Sequence, residues 1–472
     1  MTITHPTTSS SATAGVDVHG NAMTGGAEAI AAYDRAIERL LGYRQDALVS
    51  LEELMTHHAH APMTAIYGAY LCLTATDVGA LDDARGFAAA LAQQPKNERE
   101  QAHAVAIDRW LAGEWHAAGR ALDELLVRWP TDLLALLVGH QLDFFVGDAA
   151  NLRDRIRRSL GALDPHHPHR PYLLGMHAFG LEECGTYDDA ERDGMAAIDA
   201  HPDDVWAIHA VAHVHEMRGE TERGVAFMTY CEDDWSEGTI FGVHLSWHLA
   251  LYHLELGRID DVLRLYDGRV RQAGAPGQPL ELVDASAMLW RLHLDGVDVG
   301  DRFADVADAW RAQTEAYPWY VFNDVHATMA LVGAGRIVEA RRVVDRLARS
   351  LADGPGATSN RIMTAKAGLP AARAIVAHAE GRHDDVVSEL LPVRNRLNAF
   401  GGSNAQRDVI QRTLVDSAVA AGQEDLAAAL LRERLAGRPT SSYAHSRRLR
   451  LVVSSGRAAS SPGDAGGELR WD

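Results

Sequence analysis

Glycines recur along the first half of this chain at intervals that indicate a helical repeat. Six of them are spaced 34, 34, 38, 34 and 38 residues apart: Gly79, Gly113, Gly147, Gly185, Gly219 and Gly257. Each begins a pattern of glycine, a large apolar residue two positions on and a small residue three positions later, as in GTYDDA at 185–190. Glycine adopts the left-handed conformation that ends a helix without strain, so the pattern is typical of a turn between two helices.

A period of 34 residues for a helix-turn-helix unit is the tetratricopeptide signature. The predicted fold class is therefore all-α: a tetratricopeptide-like α-solenoid, curved and partly closed. Regular repeats are expected over about 65–267 and irregular repeats over about 280–455, after a Gly- and Pro-rich interruption at 269–279. With an entry helix pair they form one domain at 27–455. Composition predicts disordered tails at 1–26 and 456–472.

Charge and apolar content limit the classes of binding partner and the cellular compartments to be expected. The net charge is −20, from 45 basic and 65 acidic residues. Neutralising phosphates needs a basic face, so the composition argues against a nucleic-acid partner. No apolar run reaches the roughly 18 residues of a membrane helix, and residues 1–26 lack the basic residues of a signal peptide. Three cysteines without a CxxC pair fit a reducing compartment. We expect a cytoplasmic protein without membrane insertion.

Histidine is concentrated in two adjacent repeats. Taking the turn glycine as repeat position fifteen places Trp206, His209, His213 and Glu216 at positions two, five, nine and twelve of a first helix. These four positions line the concave surface in this repeat class, and they form one stripe by the i, i+3, i+4 rule. A stripe that serves only a core would carry Leu or Ala there. The four residues therefore predict a polar groove.

The next repeat adds two histidines to the same groove. His244 and His248 lie at positions two and six of its first helix, and His326 lies at position six of a later repeat. Two His pairs spaced i, i+4 on neighbouring parallel helices can converge across a gap of about 8–10 Å. The candidate ligands of a transition metal such as Zn, which suits imidazole better than Ca or Mg does, are His209, His213, His244 and His248.

Two other interpretations of this cluster stay open. Without a cofactor, His209, His213 and Glu216 are the candidate catalytic residues, as acids and bases in a buried pocket. The histidines can also be structural, bridging helices by hydrogen bonds. His215 and His253, at position eleven, are expected to pack against the partner helix, and the segments HHAH at 57–60 and HHPH at 166–169 are expected to be solvated turns.

Several blocks resemble the tetratricopeptide repeat protein 38 family. They are YLLGMHAFGLE at 172–182, WAIHAVAHVHEM at 206–217, GVAFM at 224–228, HLSWHLAL at 244–251, FNDVHA at 322–327 and GGSNAQRD at 401–408. The resemblance covers most of the chain from Tyr33 to Leu431. It implies an α-helical repeat fold and marks, as signature positions, His209, His213, Glu216, His244, His248, His326 and Arg407.

The leading functional hypothesis is a small organic or peptide ligand bound in a concave pocket, with acid–base or metal-assisted catalysis as an addition. Whether the protein is an enzyme is left open. The alternative is a non-catalytic scaffold that holds a protein partner along its groove. Groove positions filled with His, Trp and Glu, rather than Lys, Arg or Asn, favour the pocket. The candidate ligand-binding residues are Trp206, His244, Trp247, His248, His326 and Arg407.

Overall fold

Helices supply nearly all the regular structure in the computed structural model, which describes residues 14–352 and 358–459. A short antiparallel hairpin precedes them, β1 (Ala14–Val16) with β2 (Ala22–Thr24). The first helices are α1 (Ala27–Leu41), α2 (Ala47–His57), α3 (Pro62–Thr74), α4 (Leu81–Ala92), α5 (Glu98–Leu111), α6 (Trp115–Arg128), α7 (Leu133–Val146), α8 (Ala149–Leu160), α9 (Arg170–Glu183), α10 (Tyr187–Ala200), α11 (Val205–Arg218), α12 (Thr221–Tyr230) and α13 (Glu232–Trp235).

The second half continues in the same style with more interruptions. Its helices are α14 (Gly242–Glu255), α15 (Ile259–Leu265), α16 (Pro279–Leu294), α17 (Arg302–Ala309), α18 (Arg311–Glu315), α19 (Val321–Gly333), α20 (Ile337–Ser350), α21 (Ser359–Met363), α22 (Leu369–Ala379), α23 (His383–Leu390), α24 (Asn404–Ala420), α25 (Glu424–Gly437) and α26 (Ser442–Ala459). Short 3-10 or π segments lie at Val78–Ala80, Tyr266–Val270, Thr364–Gly368 and Arg394–Phe400. The predicted all-α solenoid is confirmed.

The six glycines of the repeat pattern all lie in turns between paired helices. Gly147 and Gly219, each with φ 71°, take the left-handed conformation that ends α7 and α11. Gly79 differs, because it lies in a 3-10 turn and its N–H donates to Asp77 Oδ1 at 2.7 Å. The left-handed residue of that first repeat is Thr76, with φ 54°. The spacing therefore marks the turns, although one turn has a different backbone.

The first helix of the repeat at 205–218 is buried on all sides. In α11 every residue from Val205 to His215 is buried. A helix covered all round lies inside a protein rather than along an open groove. Helix α11 packs against α9, α10, α12 and α14, and α24 also contacts it. Helix α24 therefore occupies the side on which a concave groove was expected.

The second half of the chain closes over the first. The Tyr320 hydroxyl donates to the carbonyl oxygen of Phe145 at 3.1 Å, and Asn323 Nδ2 donates to the carbonyl oxygen of Thr76 at 3.2 Å. The rings of Trp115 and Trp319 meet edge to face, with centroids 5.3 Å apart. These contacts join residues that are 175 and 247 positions apart. They give the partial closure that the repeat pattern predicts.

Residues 14–26, expected to belong to a disordered tail, are ordered and dock on the repeats. Asp17 Oδ2 accepts from Arg99 at 2.8 Å, and both side chains are 1% exposed. Met23 is fully buried, and Asn21 donates to the carbonyl oxygen of Thr131 at 3.2 Å. The composition of this segment did not predict the docking, because the residues that it contacts lie 82 and 110 positions further along the chain.

Most of the other residues that were predicted to be disordered lie outside the part of the chain that the structure describes. Residues 1–13 and 460–472 lie outside the described residues, whereas α26 extends to Ala459, past the expected domain end at 455. Among the helices that the structure describes, none combines the length and apolar character needed to cross a membrane.

Candidate functional site

Four histidines from two neighbouring inner helices meet in the interior. His209 and His213 come from α11, and His244 and His248 come from α14. The ring centroids are 4.4 Å apart for His209–His213 and for His213–His248, 4.7 Å for His244–His248 and 4.9 Å for His209–His244. One ring nitrogen from each histidine lies within 4.8 Å of the others. We call these residues the four-histidine cluster.

Three nitrogens of this cluster have the spacing of metal ligands. Nε2 of His244 lies 3.1 Å from Nε2 of His209 and 3.2 Å from Nε2 of His248. Zinc binds imidazole nitrogen at about 2.0–2.1 Å, which sets tetrahedral ligand nitrogens about 3.3–3.4 Å apart. A shift of a few tenths of an ångström would seat an ion between the three atoms.

Carboxylates face the opposite nitrogen of three of these rings. Asp284 Oδ2, on α16, lies 2.6 Å from His244 Nδ1, and Glu216 Oε2 lies 3.2 Å from His248 Nδ1. Glu182 Oε2, on α9, is 3.5 Å from His213 Nδ1. An ionised carboxylate only accepts hydrogen bonds, so Asp284 and Glu216 each hold a proton on Nδ1 of their histidine and leave its Nε2 with a lone pair. Metal-ligating histidines are typically oriented in this way.

In His244 and His248, the rings oriented in this way, the Nε2 lone pairs point at each other and repel. Nε2 of His244 and Nε2 of His248 are 3.2 Å apart, and a carboxylate that accepts the Nδ1 proton of each ring leaves no proton between them. Extra protons would relieve the repulsion, but burial lowers the pKa of His248 despite its hydrogen bond to Glu216. Burial and the neighbouring imidazoles hold the pKa values of His209 and His213 well below the usual range. A cation among the Nε2 atoms satisfies the lone pairs of His244 and His248 at once, and Nε2 of His209 lies close enough to join them.

The two glutamates near the cluster differ in charge. Burial, together with the charges of Glu183 and Glu216, raises the pKa of Glu182 well above its usual value, and neither carboxylate oxygen has a hydrogen-bond partner. Burial also opposes ionisation of Glu216, but the hydrogen bond with His248 and the charge of Arg438 outweigh it, so the pKa of Glu216 is lowered. Glu216 is therefore the ionised member at neutral pH.

Two predicted tryptophans form walls of the cluster. Trp206 stacks on Tyr43 with an interplanar angle of 8°, and its ring lies 5.1 Å from that of His209. Trp247 stacks on His244 at 5.4 Å and is fully buried. Both indoles restrict the motion of an imidazole and exclude water from it.

His326 is not among the described His, Cys, Asp and Glu residues whose ligand atoms converge, and Arg407 is not a metal-ligating residue type. His326, buried on α19, donates from Nδ1 to the carbonyl oxygen of Phe322 at 2.8 Å, and its Nε2 has no hydrogen-bond partner. Arg407, on α24, donates to Glu183 Oε2 at 3.1 Å and to Asn404 Oδ1 at 2.7 Å. These hydrogen bonds of the two predicted ligand-binding residues go to Phe322, Glu183 and Asn404 rather than to the four histidines.

The open pocket expected from the sequence is covered at these positions. His209 is 2% exposed, and His213, Trp247 and His248 are fully buried. A cavity of about 30 Å³ lies beside Glu216, with walls that include Arg291, Asp408, Arg412 and Arg438. Such a space holds about one water molecule. The burial and close spacing of these rings suit an ion or a water-sized ligand in this arrangement.

Sequence reasoning missed the carboxylates Asp284 and Glu182. Asp284 is a lone acid within the apolar run LVDASAMLW at 282–290 of a buried helix, a signal that could have been used. Glu182 closes a similar buried stretch of α9. His215, expected to pack, is buried against Phe227 with ring centroids 5.6 Å apart, and His253 Nδ1 lies 3.7 Å from Asp261 without a hydrogen-bond partner.

A solved structure aligns with most of the chain. No family model matches the chain. Among solved structures, a monomeric mutant of IFIT1 with Gppp-AAAA aligns at a TM-score of 0.38 and 12% identity, covering 89% of this chain and 99% of that one. This match does not identify the repeat protein 38 family.

One sequence-based expectation is contradicted by this comparison. The matched structure carries Gppp-AAAA, so the expectation of no nucleic-acid partner is withdrawn. The reason is physical: net charge is an average over the whole surface and does not report the local potential of a binding site.

Proposed function

We propose that the protein is a tetratricopeptide-like metalloprotein that holds one first-row transition ion in the four-histidine cluster. The observation that carries the proposal is the set of three Nε2 atoms at 3.1 and 3.2 Å spacing, two of them deprived of their proton by a carboxylate on Nδ1. The same histidines are signature positions of the resemblance to the repeat protein 38 family, which agrees with a shared site.

Each residue has a role in this proposal. His209, His244 and His248 bind the ion through Nε2, and His213 is the fourth ligand after a small ring movement. Asp284 and Glu216 orient two of the ligands and balance the charge of the ion. Neutral imidazoles favour Zn, with Cu and Fe as the other candidates, over Ca or Mg.

A metal ion replaces the small organic or peptide ligand of the sequence-based hypothesis. The imidazoles are covered by α24 and by the neighbouring inner helices, and the adjacent cavity has room for about one water. A four-ligand, closed zinc site is typical of a structural role. We therefore assign the ion to holding α11 and α14 together inside the closed solenoid.

Metal analysis of the full-length protein tests the proposal. After zinc loading and removal of free metal, we expect one tightly held equivalent in the wild type, its loss in His244→Ala, and its retention in His253→Ala. His253 is the matched control, because it lies on the same helix and pairs with Asp261 away from the cluster.

A second readout does not depend on the folding of a variant. Replacing zinc with Co²⁺ in the wild type should produce intense visible absorption bands typical of tetrahedral coordination. The proposal fails if the loaded wild type holds no metal, if Co²⁺ gives only weak octahedral bands, or if a folded His244→Ala protein keeps the ion.

A further inference from the structure

A second group of imidazoles lies where the N-terminal hairpin meets the repeats. His19 comes from the turn between β1 and β2, and His167 and His169 come from the segment that joins α8 to α9. The ring centroids are 5.2 Å apart for His19–His167, 5.1 Å for His19–His169 and 5.3 Å for His167–His169. One ligand atom from each residue lies within 4.8 Å of the others. We call these residues the hairpin histidines.

Contacts inside and outside the group hold the hairpin histidines in place. The carbonyl oxygen of His19 accepts from Thr131 Oγ1 at 3.1 Å. Two residues before His19, Asp17 forms the buried ion pair with Arg99. His169 is buried, and its main-chain N–H donates to His167 Nδ1 at 3.1 Å. This differs from the solvated turn expected for HHPH at 166–169, because the hairpin covers that segment.

We propose that His19, His167 and His169 form a second metal site, which takes one divalent transition ion with three imidazoles and a water molecule. Three ring nitrogens from two chain segments, 148 to 150 residues apart, converge beside partly exposed rings through which an ion can enter. Three histidines with one open position form a ligand set that zinc uses, and imidazole also suits Cu and Ni.

The affinity of this site should be lower than that of the core cluster. At the hairpin, His19 Nε2 and His169 Nδ1 already share a hydrogen bond at 2.8 Å, and His167 Nδ1 accepts a main-chain N–H. An incoming ion replaces the first of these bonds and turns the ring of His167. In the core, Asp284 and Glu216 accept from Nδ1 of His244 and His248, which frees the two Nε2 atoms for an ion.

Binding would fasten the hairpin to the start of α9. The hairpin otherwise depends on a few polar contacts and one buried methionine, so its local opening is expected to be easier than that of the repeats. An ion shared by His19, His167 and His169 adds a cross-link between the two segments. Metal should therefore slow hydrogen exchange in residues 14–26 more than elsewhere on the surface.

Zinc titration of the full chain by calorimetry tests the second site. We expect two equivalents in the wild type, one tight and one weaker. The double variant His19→Ala with His167→Ala should lose the weaker equivalent and keep the tight one, whereas His244→Ala should do the reverse. The matched control is the double variant His57→Ala with His60→Ala, taken from an exposed tract whose adjacent rings are 6.3 and 6.4 Å apart. It should keep both equivalents.

Hydrogen exchange of residues 14–26 is the second measurement. Added zinc should protect this segment in the wild type and in the control, but not in the His19→Ala, His167→Ala protein. The inference is overturned if that variant still binds the weaker equivalent, if the control loses it equally, or if the wild type takes up only the tight ion. None of these results bears on the core cluster, which is judged by His244→Ala.

Discussion

Replacing Asp284 with Asn removes the charge behind one metal ligand and keeps its shape. Asp284 Oδ2 lies 2.6 Å from His244 Nδ1, and its side chain is 2% exposed. Asparagine retains an oxygen that can accept the Nδ1 proton, so the imidazole stays in place. What is lost is the negative charge that raises the basicity of His244 Nε2. We therefore expect weaker metal binding by a protein that is otherwise folded.

The magnitude follows from the position of the carboxylate. Changes to residues that orient a metal ligand typically cost 10–100-fold in affinity, or about 1.4–2.7 kcal/mol. A short, desolvated, charge-assisted hydrogen bond belongs near the upper end of this range. We expect the dissociation constant for zinc to rise about 100-fold. At a fixed zinc concentration above both dissociation constants, the zinc-dependent gain in unfolding free energy should fall by about 2.7 kcal/mol.

Competition with a chromophoric zinc chelator measures this change directly. The matched control is Asp193→Asn, because Asp193 Oδ2 contacts His177 Nδ1 at 2.8 Å in a pair that lies outside the cluster. Its zinc affinity should stay within about twofold of the wild type. An unchanged affinity in Asp284→Asn, or an equal loss in Asp193→Asn, would refute the assigned role of this carboxylate.

Two further predictions concern stability. Gly147→Ala should lower the free energy of unfolding in urea more than Gly185→Ala does. Both glycines have positive φ, which costs an alanine about 1–2 kcal/mol, but only at Gly147 would the new Cβ lie 1.7 Å from the carbonyl oxygen of Asn398. Equal urea midpoints for the two variants would contradict the closure of the solenoid. Burial raises the pKa of Asp324 from 3.8 to about 7, and Arg346 offsets this only in part. Between pH 3.8 and about 7 the native state binds a proton that the unfolded state has released, so the contribution of Asp324 to stability falls as pH rises. Asp324→Asn should therefore stabilise the protein at about pH 8 and not at about pH 4. A parallel pH dependence of stability in the wild type and the variant would disprove this prediction.

The repeat pattern was enough to predict which helix faces carry the histidines. Turn glycines set the register, and the register placed His209 and His213 on one stripe of a first helix, with His244 and His248 on the next. Side-chain direction along a helix is a local property that repeats every 3.6 residues. The convergence of these four rings is therefore readable from sequence, and the all-α class follows from the same pattern.

Only the tertiary structure decided what surrounds those rings. Asp284 and Glu182 lie on helices of other repeats, and Arg407 reaches Glu183 across 224 positions. The covering of the groove by α24 and the docking of residues 14–26 likewise depend on contacts between distant segments.

The physical reason is that a solenoid accumulates a small rotation at every repeat. Each step is set by packing at one interface, and no local pattern records the sum. The sequence determined the turns, the helix faces and the set of imidazoles. The accumulated curvature decided that the expected groove became a buried centre, with Glu216 and Asp284 behind its ligands.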